Sequence, residues 1–161
     1  MSRQMIRIKQ LLSTADTEAV LDRCTNGVLG LNGDDGYPYT VPLSYVYSDG
    51  KIYFHSAKKG YKVDCLINDP KVSFTVIDED MIVSEEFTTY FRSAIITGNA
   101  RIATGDEYDY GFRALVEKYS GNLTDEVKEK AINECKNAYI IAIDIISMTG
   151  KEAIEFVKNR S

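Results

Sequence analysis

The feature that most constrains the fold is a series of short strand-like segments joined by tight turns. Segments 28–31 and 39–47 flank the turn cluster Asn32-Gly33-Asp34-Asp35-Gly36, and Ser48-Asp49-Gly50 separates the second segment from a third at 51–55. Because Asp-Gly favours the turns that join antiparallel strands, these three segments predict an antiparallel meander. Similar apolar segments at 72–77, 91–102 and 139–146 bring the expected number of strands to six.

Helices are expected at five places, after Ser13, at 63–67, after Thr104, after Thr124 and after Thr149. Residues 13–16 are a capping pattern whose helix Gly27 should end, and residues 104–107 and 149–152 are capping boxes. One face of the helix after Thr104 carries Phe112, Leu115, Val116 and Tyr119. The pattern predicts a mainly β (α+β) fold, a six-stranded antiparallel β-barrel with accessory helices, because closure removes exposed strand edges.

The composition fits a single domain over residues 1–161, with 44% hydrophobic and 27% charged residues. The net charge of -5 disfavours nonspecific nucleic-acid binding, which needs a basic surface. The N-terminus lacks an apolar segment of signal-peptide length, and the longest apolar-rich stretch, 138–146, is too short to span a bilayer. We therefore expect no nucleic-acid or membrane partner and a cytoplasmic location.

Several kinds of site are excluded by missing motifs. The sequence contains no Gly-x-Gly-x-x-Gly, Walker or Gly-x-Ser-x-Gly motif. Cys24, Cys65 and Cys135 lie far apart in the chain, so no disulfide framework and no metal site are expected. The acidic runs at 78–80 and 85–86 are interpreted as solvated loops. His55 is the only histidine, and both a structural role at a strand end and a role beside a ligand are open for it.

Residues 54–62, FHSAKKGYK, have the composition of a phosphate site. The segment follows a predicted strand, precedes the short helix 63–67, and holds Ser56, three lysines and Gly60. A phosphate monoester needs cationic and hydroxyl donors that converge near a helix N-terminus, and glycine lets the backbone approach closely. The alternative interpretation is a lysine-rich surface turn.

Residues 39–45, YTVPLSY, place a proline within a predicted strand. Pro42 cannot donate a ladder hydrogen bond, which indicates an edge, a bulge or a break. Such a position leaves neighbouring backbone N–H and C=O groups free to bind a ligand with a polar edge. The alternative is an irregular edge strand that binds nothing.

Taken together, these segments resemble the pyridoxamine-phosphate-oxidase-like FMN-binding split barrels. The similarity follows residues 40–43 (TVPL), the turn at 49–50, residues 52–57 (IYFHSA), Gly60, Lys62 and the run 66–76. Residues 93–98 (SAIITG) and 113–119 also fit, and the chain is most similar to the nitroimidazole-resistance (Nim-type) flavoproteins. The similarity covers about residues 14–120, and its most specific part is the FHSAxxGxK segment.

The resemblance implies an FMN site at the interface of a homodimer. It places the strand residues Thr40, Val41, Pro42, Leu43 and Ser44 along the isoalloxazine ring. It places His55, Ser56, Gly60, Tyr61 and Lys62 along the ribityl chain and phosphate, with Ser56 and Lys62 as the expected phosphate ligands. Ser93 matches a position that reaches the flavin from the partner subunit.

The function that this resemblance implies is an FMN-dependent oxidoreductase. Reduced flavin would pass electrons to a small oxidised acceptor such as a nitroimidazole, with His55 as the candidate catalytic contact. Pyridoxamine phosphate oxidases carry a C-terminal arginine–histidine signature, and residues 156–161 contain no histidine, which argues against that reaction. The alternatives are a non-enzymatic split barrel that holds flavin, haem or a deazaflavin, and a dimer that has lost its cofactor.

Overall fold

The computed structural model describes residues 4–135 and 137–159, and within these ranges the chain forms seven strands, five α-helices and two short 3-10 helices. The strands are β1 (Asn26–Asn32), β2 (Pro38–Ser44), β3 (Val46–Ser48), β4 (Lys51–Ser56), β5 (Lys71–Val83), β6 (Thr88–Ile102) and β7 (Tyr139–Glu152). The helices are α1 (Thr14–Arg23), α2 (Tyr61–Asn68), α3 (Asp106–Ser120), α4 (Asp125–Glu134) and α5 (Ile154–Asn159). Within the same ranges, no helix has the length and apolar character needed to cross a membrane.

All seven strands belong to one antiparallel sheet with the order β2-β1-β5-β6-β7-β4-β3. The hairpins β1–β2 and β3–β4 are confirmed, and Asp49 and Gly50 have the positive φ values, 50° and 70°, that suit a tight hairpin turn. The predicted meander of three adjacent strands is wrong, because these two hairpins lie at opposite edges of the sheet. The long strands β5, β6 and β7 form its centre.

The sheet curls around one hydrophobic core. Leu29 of β1 and Phe54 of β4 belong to the same cluster of buried side chains, although three strands lie between β1 and β4 in the sheet order. In a flat sheet the two strands would lie about 19 Å apart, because neighbouring strands are spaced by about 4.8 Å. The mainly β split-barrel architecture with accessory helices is therefore confirmed, and the described residues leave its two edge strands, β2 and β3, unpaired with each other.

The predicted number of six strands is wrong, because segment 39–47 forms two strands instead of one. β2 ends at Ser44 and β3 begins at Val46. Between them Tyr45 is fully buried, its hydroxyl donates to the carbonyl of Leu21 over 2.8 Å, and its ring meets Phe74 edge-on. This anchor directs the chain from one edge of the sheet to the other, so a single continuous strand cannot form.

The first helix begins as predicted and ends earlier than predicted. Ser13 caps α1, and its Oγ accepts from the N–H of Asp16 over 3.0 Å. The helix ends at Arg23, and Gly27 lies in β1 instead of acting as the stop. A Cβ at Gly27 would collide with the ring of Phe74, so this glycine serves core packing.

Neither predicted capping box forms. Gly105 rather than Thr104 precedes α3, and no side chain among the described residues caps that helix. Residues 149–152 lie inside β7, because the ladder with β6 continues to Glu152, and α5 begins only at Ile154. Pairing with a long neighbouring strand has overridden the local helix signal.

The acidic run 78–80 lies in β5 and is not a solvated loop. Asp78 accepts hydrogen bonds from Arg23 (Nε to Oδ1, 2.8 Å) and from Arg92 (3.2 Å). The Cys24 thiol also donates to Asp78 Oδ1, over 3.4 Å. The hydrogen bonds from Arg23 lower the pKa of Asp78, so this carboxylate joins α1 to the β5–β6 ladder.

Candidate functional site

The end of β4 and the start of α2 bring together three residues of the predicted phosphate site. Ser56, the last residue of β4, is buried, and its Oγ donates to the carbonyl of Ala57 over 3.0 Å. Gly60 precedes α2 with a φ of 131°, a conformation that favours glycine. No described side chain caps α2, so its first N–H groups remain available to a ligand.

Lys62 in the first turn of α2 carries a half-buried amine. Its Nζ lies 5.6 Å from the ring centroid of Phe54, which is fully buried in β4. Burial lowers the pKa of Lys62, and no carboxylate of the described residues forms an ion pair with it. A desolvated ammonium without a counter-charge is costly, and an anion beside it would offset that cost. A phosphate monoester is such an anion.

The edge strand β2 lies against the same junction. Pro42 stands in this edge strand, as its missing N–H requires. The ring of Tyr61 packs edge-on against Tyr39 with 4.9 Å between centroids, and the Tyr61 hydroxyl donates to Asp34 Oδ1 over 2.8 Å. These contacts fix the start of α2 against β2. Along the strand, Val41 and Leu43 pack on the core while Thr40, Pro42 and Ser44 are exposed.

A cleft of about 530 Å³ lies between α3 and the ends of β2 and β4. Ser44 and His55, two of the predicted cofactor ligands, form its sheet side. Its helix side is formed by Phe112, Leu115, Val116, Tyr119 and Ser120 of α3, and it is closed by Cys135, Asn137 and Ala138 before β7. We refer to this space as the α3 cleft.

The residues of the α3 cleft were only partly predicted. The helical spacing placed Phe112, Leu115, Val116 and Tyr119 on one face, but nothing local indicated that this face meets His55. Cys135 and Asn137 lie outside any recognisable motif. Their position depends on the path from α4 to β7, which only the tertiary structure specifies.

Ser93 lies away from the other predicted site residues within one subunit. It is in β6, where it pairs with Ile77 of β5 and Lys151 of β7. The strands β5 and β1 separate it from β2, so about 14 Å lies between Ser93 and the β2 edge at the usual strand spacing. The structure therefore brings together β2, the end of β4 and the start of α2, but not Ser93.

Two rows of outward-facing residues across five strands carry no charged side chain. The first row is Pro42, Val28, Thr75, Ile95 and Thr149, and the second is Thr40, Gly30, Ser73, Thr97 and Ser147. Val28 is 37% exposed and Ile95 is 49% exposed. We call these ten residues the outer sheet face. An exposed, uncharged face with aliphatic side chains is typical of an interaction surface.

Among the described residues, no three histidine, cysteine, aspartate or glutamate side chains are grouped so as to hold a metal ion. An antiparallel sheet that curls around one core without closing, with a ligand-sized cleft against an accessory helix, defines a split-barrel protein. The chain belongs to the pyridoxamine 5'-phosphate oxidase family, whose model matches residues 13–152. No curated protein matches the sequence significantly.

Solved structures with similar folds cover most of the chain. The conserved hypothetical protein Rv2991 from Mycobacterium tuberculosis matches with a TM-score of 0.78 and 24% identity over 94% of this chain and 90% of that one. A candidate 5-nitroimidazole antibiotic resistance protein from Bacteroides thetaiotaomicron has a TM-score of 0.72 and 19% identity, and the match covers 88% of this chain and 86% of that one. The FAD and haem binding protein from Mycobacterium smegmatis has a TM-score of 0.69 and 18% identity, and the match covers 95% of this chain and 80% of that one. These likenesses show the shared fold.

Proposed function

We propose that this protein is an FMN-dependent oxidoreductase that passes electrons from reduced flavin to a small oxidised acceptor such as a nitroimidazole. The observation that carries the proposal is Lys62, a half-buried amine without a carboxylate partner among the described residues, beside the uncapped start of α2. Ser56 and Gly60 lie at the same junction. This donor set fits a phosphate monoester, which is the anionic end of FMN.

The remaining residues would hold the ring and exclude water from it. The outward backbone of β2 offers edge N–H and C=O groups near Thr40 and Ser44, since an edge strand has unpaired groups on one side. Ser44 and His55 both line the α3 cleft. In this proposal the imidazole of His55 would contact the flavin or the acceptor. When bound, the flavin supplies the electron chemistry, and the protein supplies binding and orientation.

A homodimer is part of this proposal. Within one subunit Ser93 is too far from the β2 edge to touch the same ring, so its predicted role requires a second copy of the chain. The outer sheet face gives that copy an uncharged surface on which to dock, and Thr40 and Pro42 belong to both this face and the cofactor strand. Dimerisation and flavin binding are therefore expected to be linked.

Proteins of similar fold support the proposal that this chain binds a flavin, and they also suggest a second candidate function. The Mycobacterium smegmatis protein binds FAD and haem by its description. A non-enzymatic flavin- or haem-binding role for this chain is therefore the alternative, with His55 as the only histidine available to ligate haem iron. A Soret band in the purified protein would favour that alternative over the oxidoreductase.

The decisive experiment is an absorbance and fluorescence spectrum of the full chain purified without added cofactor, followed by titration with FMN. Twin flavin bands, or saturable binding near one FMN per subunit, are expected. Lys62→Glu should weaken FMN binding by about 100-fold, because a carboxylate would replace the cation beside the phosphate. Lys59→Glu makes the same charge change at an exposed position of the preceding turn and serves as the control. Absence of binding, or equal affinities in both variants, would contradict the site.

The role of His55 is tested separately by His55→Ala. The FMN-loaded variant, reduced with dithionite, is mixed with 2-methyl-5-nitroimidazole, and flavin reoxidation is followed by absorbance. A slower reoxidation or a weaker FMN affinity is expected if the imidazole contacts acceptor or flavin. If both quantities match those of the wild-type protein, His55 has no role in the reaction.

A further inference from the structure

The lining of the α3 cleft differs in character from the rest of the surface. Most of its wall is apolar, with Phe112, Leu115 and Val116 on the helix side, and Ser44 and Ser120 contribute hydroxyl groups to it. Among the described residues that line it, none is a lysine, arginine, aspartate or glutamate. Its volume of about 530 Å³ falls within the range of small-molecule sites.

The neighbouring groove between α3 and α4 shows how different this lining is. That groove has a similar volume, about 580 Å³, and it shares Val116 with the cleft. Its walls carry Arg113, Glu117, Lys128 and Glu129, which form ion pairs with one another. The groove is therefore lined by lysine, arginine and acidic side chains, whereas the described residues that line the cleft on the His55 side include none of these types.

We propose that the α3 cleft binds an uncharged, ring-sized organic molecule with its polar group towards Ser44 and His55. A carboxylate or phosphate in the cleft would lose its hydration without gaining a counter-charge from the described residues that line it, so anionic compounds are disfavoured. A flat apolar ring would bury its faces against Leu115 and Phe112 and gain the free energy of burial. Resting on the proposed function, the ligand is the electron acceptor, because His55 and Ser44 belong to both the cleft and the flavin site.

Hydrogen bonds from the end of α3 to the backbone near Cys24 and Tyr45 fix the helix wall of the cleft. The hydroxyl of Tyr119 lies 2.7 Å from the carbonyl oxygens of both Thr25 and Tyr45 and 3.0 Å from the backbone nitrogen of Tyr45. The amine of Lys118 donates to the carbonyl of Cys24 and lies 4.4 Å from the ring centroid of Tyr45. A preorganised wall of this kind reduces the ordering cost of ligand binding.

The test compares two probes that share a nitrophenyl ring, 4-nitrobenzyl alcohol and 4-nitrobenzoate. Each is titrated into the methyl-labelled full chain at pH 8.5, with and without saturating FMN. The methyl signals of Leu115 and Val116 are expected to shift with the alcohol. The benzoate should bind at least about tenfold more weakly. The proposal would be overturned if the benzoate bound as tightly as the alcohol or more tightly, or if the methyl signals of Leu115 and Val116 did not shift.

A pair of matched variants makes the assignment specific. Ser120→Arg adds a cation to the cleft wall, so benzoate affinity should rise to that of the alcohol or above it. Asn122→Arg adds the same charge at an exposed position that does not line the cleft and should leave the ratio of affinities unchanged. Unchanged benzoate affinity in Ser120→Arg would show that the probes bind elsewhere.

Lys136 lies outside the described residues. In the sequence it stands between Cys135 and Asn137, which both line the cleft. Lys136→Met should leave the preference for the alcohol unchanged, and a preference that arises only in this variant would overturn the uncharged site. The FMN titration distinguishes the two proposals. Probe binding without FMN binding would support the cleft and remove the flavin claim, whereas FMN binding without probe binding would support the flavin site and overturn the cleft.

Discussion

The hydroxyl of Tyr119 accepts a hydrogen bond from the backbone N–H of Tyr45 over 3.0 Å, and it lies 2.7 Å from the carbonyl oxygen of the same residue. Tyr119 is near the end of α3, and Tyr45 is the residue between β2 and β3. One side chain thus supplies the hydrogen bonds that the backbone loses where the strand breaks. Since Ser44 adjoins this break, the same contact positions one wall of the α3 cleft.

Removing the Tyr119 hydroxyl should destabilise the segment at Tyr45 where β2 and β3 are interrupted. Tyr119→Phe leaves the N–H of Tyr45 without its partner, and we expect the free energy of unfolding to fall by about 1–2 kcal/mol. Urea denaturation measures the change. Tyr37→Phe is the matched control, because Tyr37 is 75% exposed, and it should unfold like the wild type. Equal stability of both variants would show that water replaces the Tyr119 hydroxyl without cost.

The carboxylate of Asp78 should make stability depend on pH in the acid range. Hydrogen bonds from Arg23 lower its pKa below the unfolded value of 3.8, so its contribution is present above about pH 4 and is lost as the pH falls through the lower folded value. Asp78→Asn should cost about 1–2 kcal/mol at pH 7, and the difference from wild type should shrink towards pH 3.

Asp80→Asn is the control for Asp78→Asn. Asp80 is exposed two residues further along β5, so its replacement should have little effect at either pH. Thermal or urea unfolding measured at pH 7, 5 and 3 provides the comparison. A constant difference between Asp78→Asn and wild type across that range would contradict the ion-pair explanation.

Gly98 should tolerate no side chain. It lies at the irregularity between Thr97 and Gly98 in the β6–β7 pairing, where a Cβ would collide with the carbonyl oxygen of Asp144 and lie 2.8 Å from Ile143 Cγ2. Gly98→Ala should lower the free energy of unfolding by about 2–3 kcal/mol, because a backbone atom cannot move aside like a flexible side chain. Asn99→Ala, at the next and exposed position, should change stability much less.

The three cysteines should react with iodoacetamide in an order that their surroundings determine. Cys135 is exposed, Cys24 is half-buried and Cys65 is buried. Burial and the hydrogen bond to Asp78 raise the pKa of Cys24 to about 11, so at pH 8 only about one thiol in a thousand is the reactive thiolate. Peptide mass spectrometry should find Cys135 alkylated first. Labelling of Cys24 at the rate of Cys135 would contradict the described environment.

Local signals predicted much of the fold. The Asp49-Gly50 turn predicted the β3–β4 hairpin because those residues adopt the positive φ values it needs, and Pro42 predicted the edge position of β2 because it lacks a donor. The capping residue Ser13 predicted the start of α1. Each of these features depends on atoms close together in the sequence.

Predictions failed where a distant contact outweighed the local preference. Residues 149–152 have the composition of a helix start, yet the ladder with β6 keeps them in β7. Segment 39–47 has the composition of one strand, yet the burial of Tyr45 against Leu21 and Phe74 divides it. The order of strands in the sheet, and with it the failure of the meander, followed from these long-range contacts.

By itself the sequence determined the strand-rich class, the hairpin turns and the cluster of Ser56, Gly60 and Lys62, because turn and helix-start chemistry lies within a few consecutive residues. Only the tertiary structure decided that α3 faces His55, that Lys62 is desolvated without a carboxylate partner among the described residues, and that Ser93 is remote from β2. Burial and the absence of a counter-charge depend on which distant segments pack together, and the curvature of the sheet decides which segments these are.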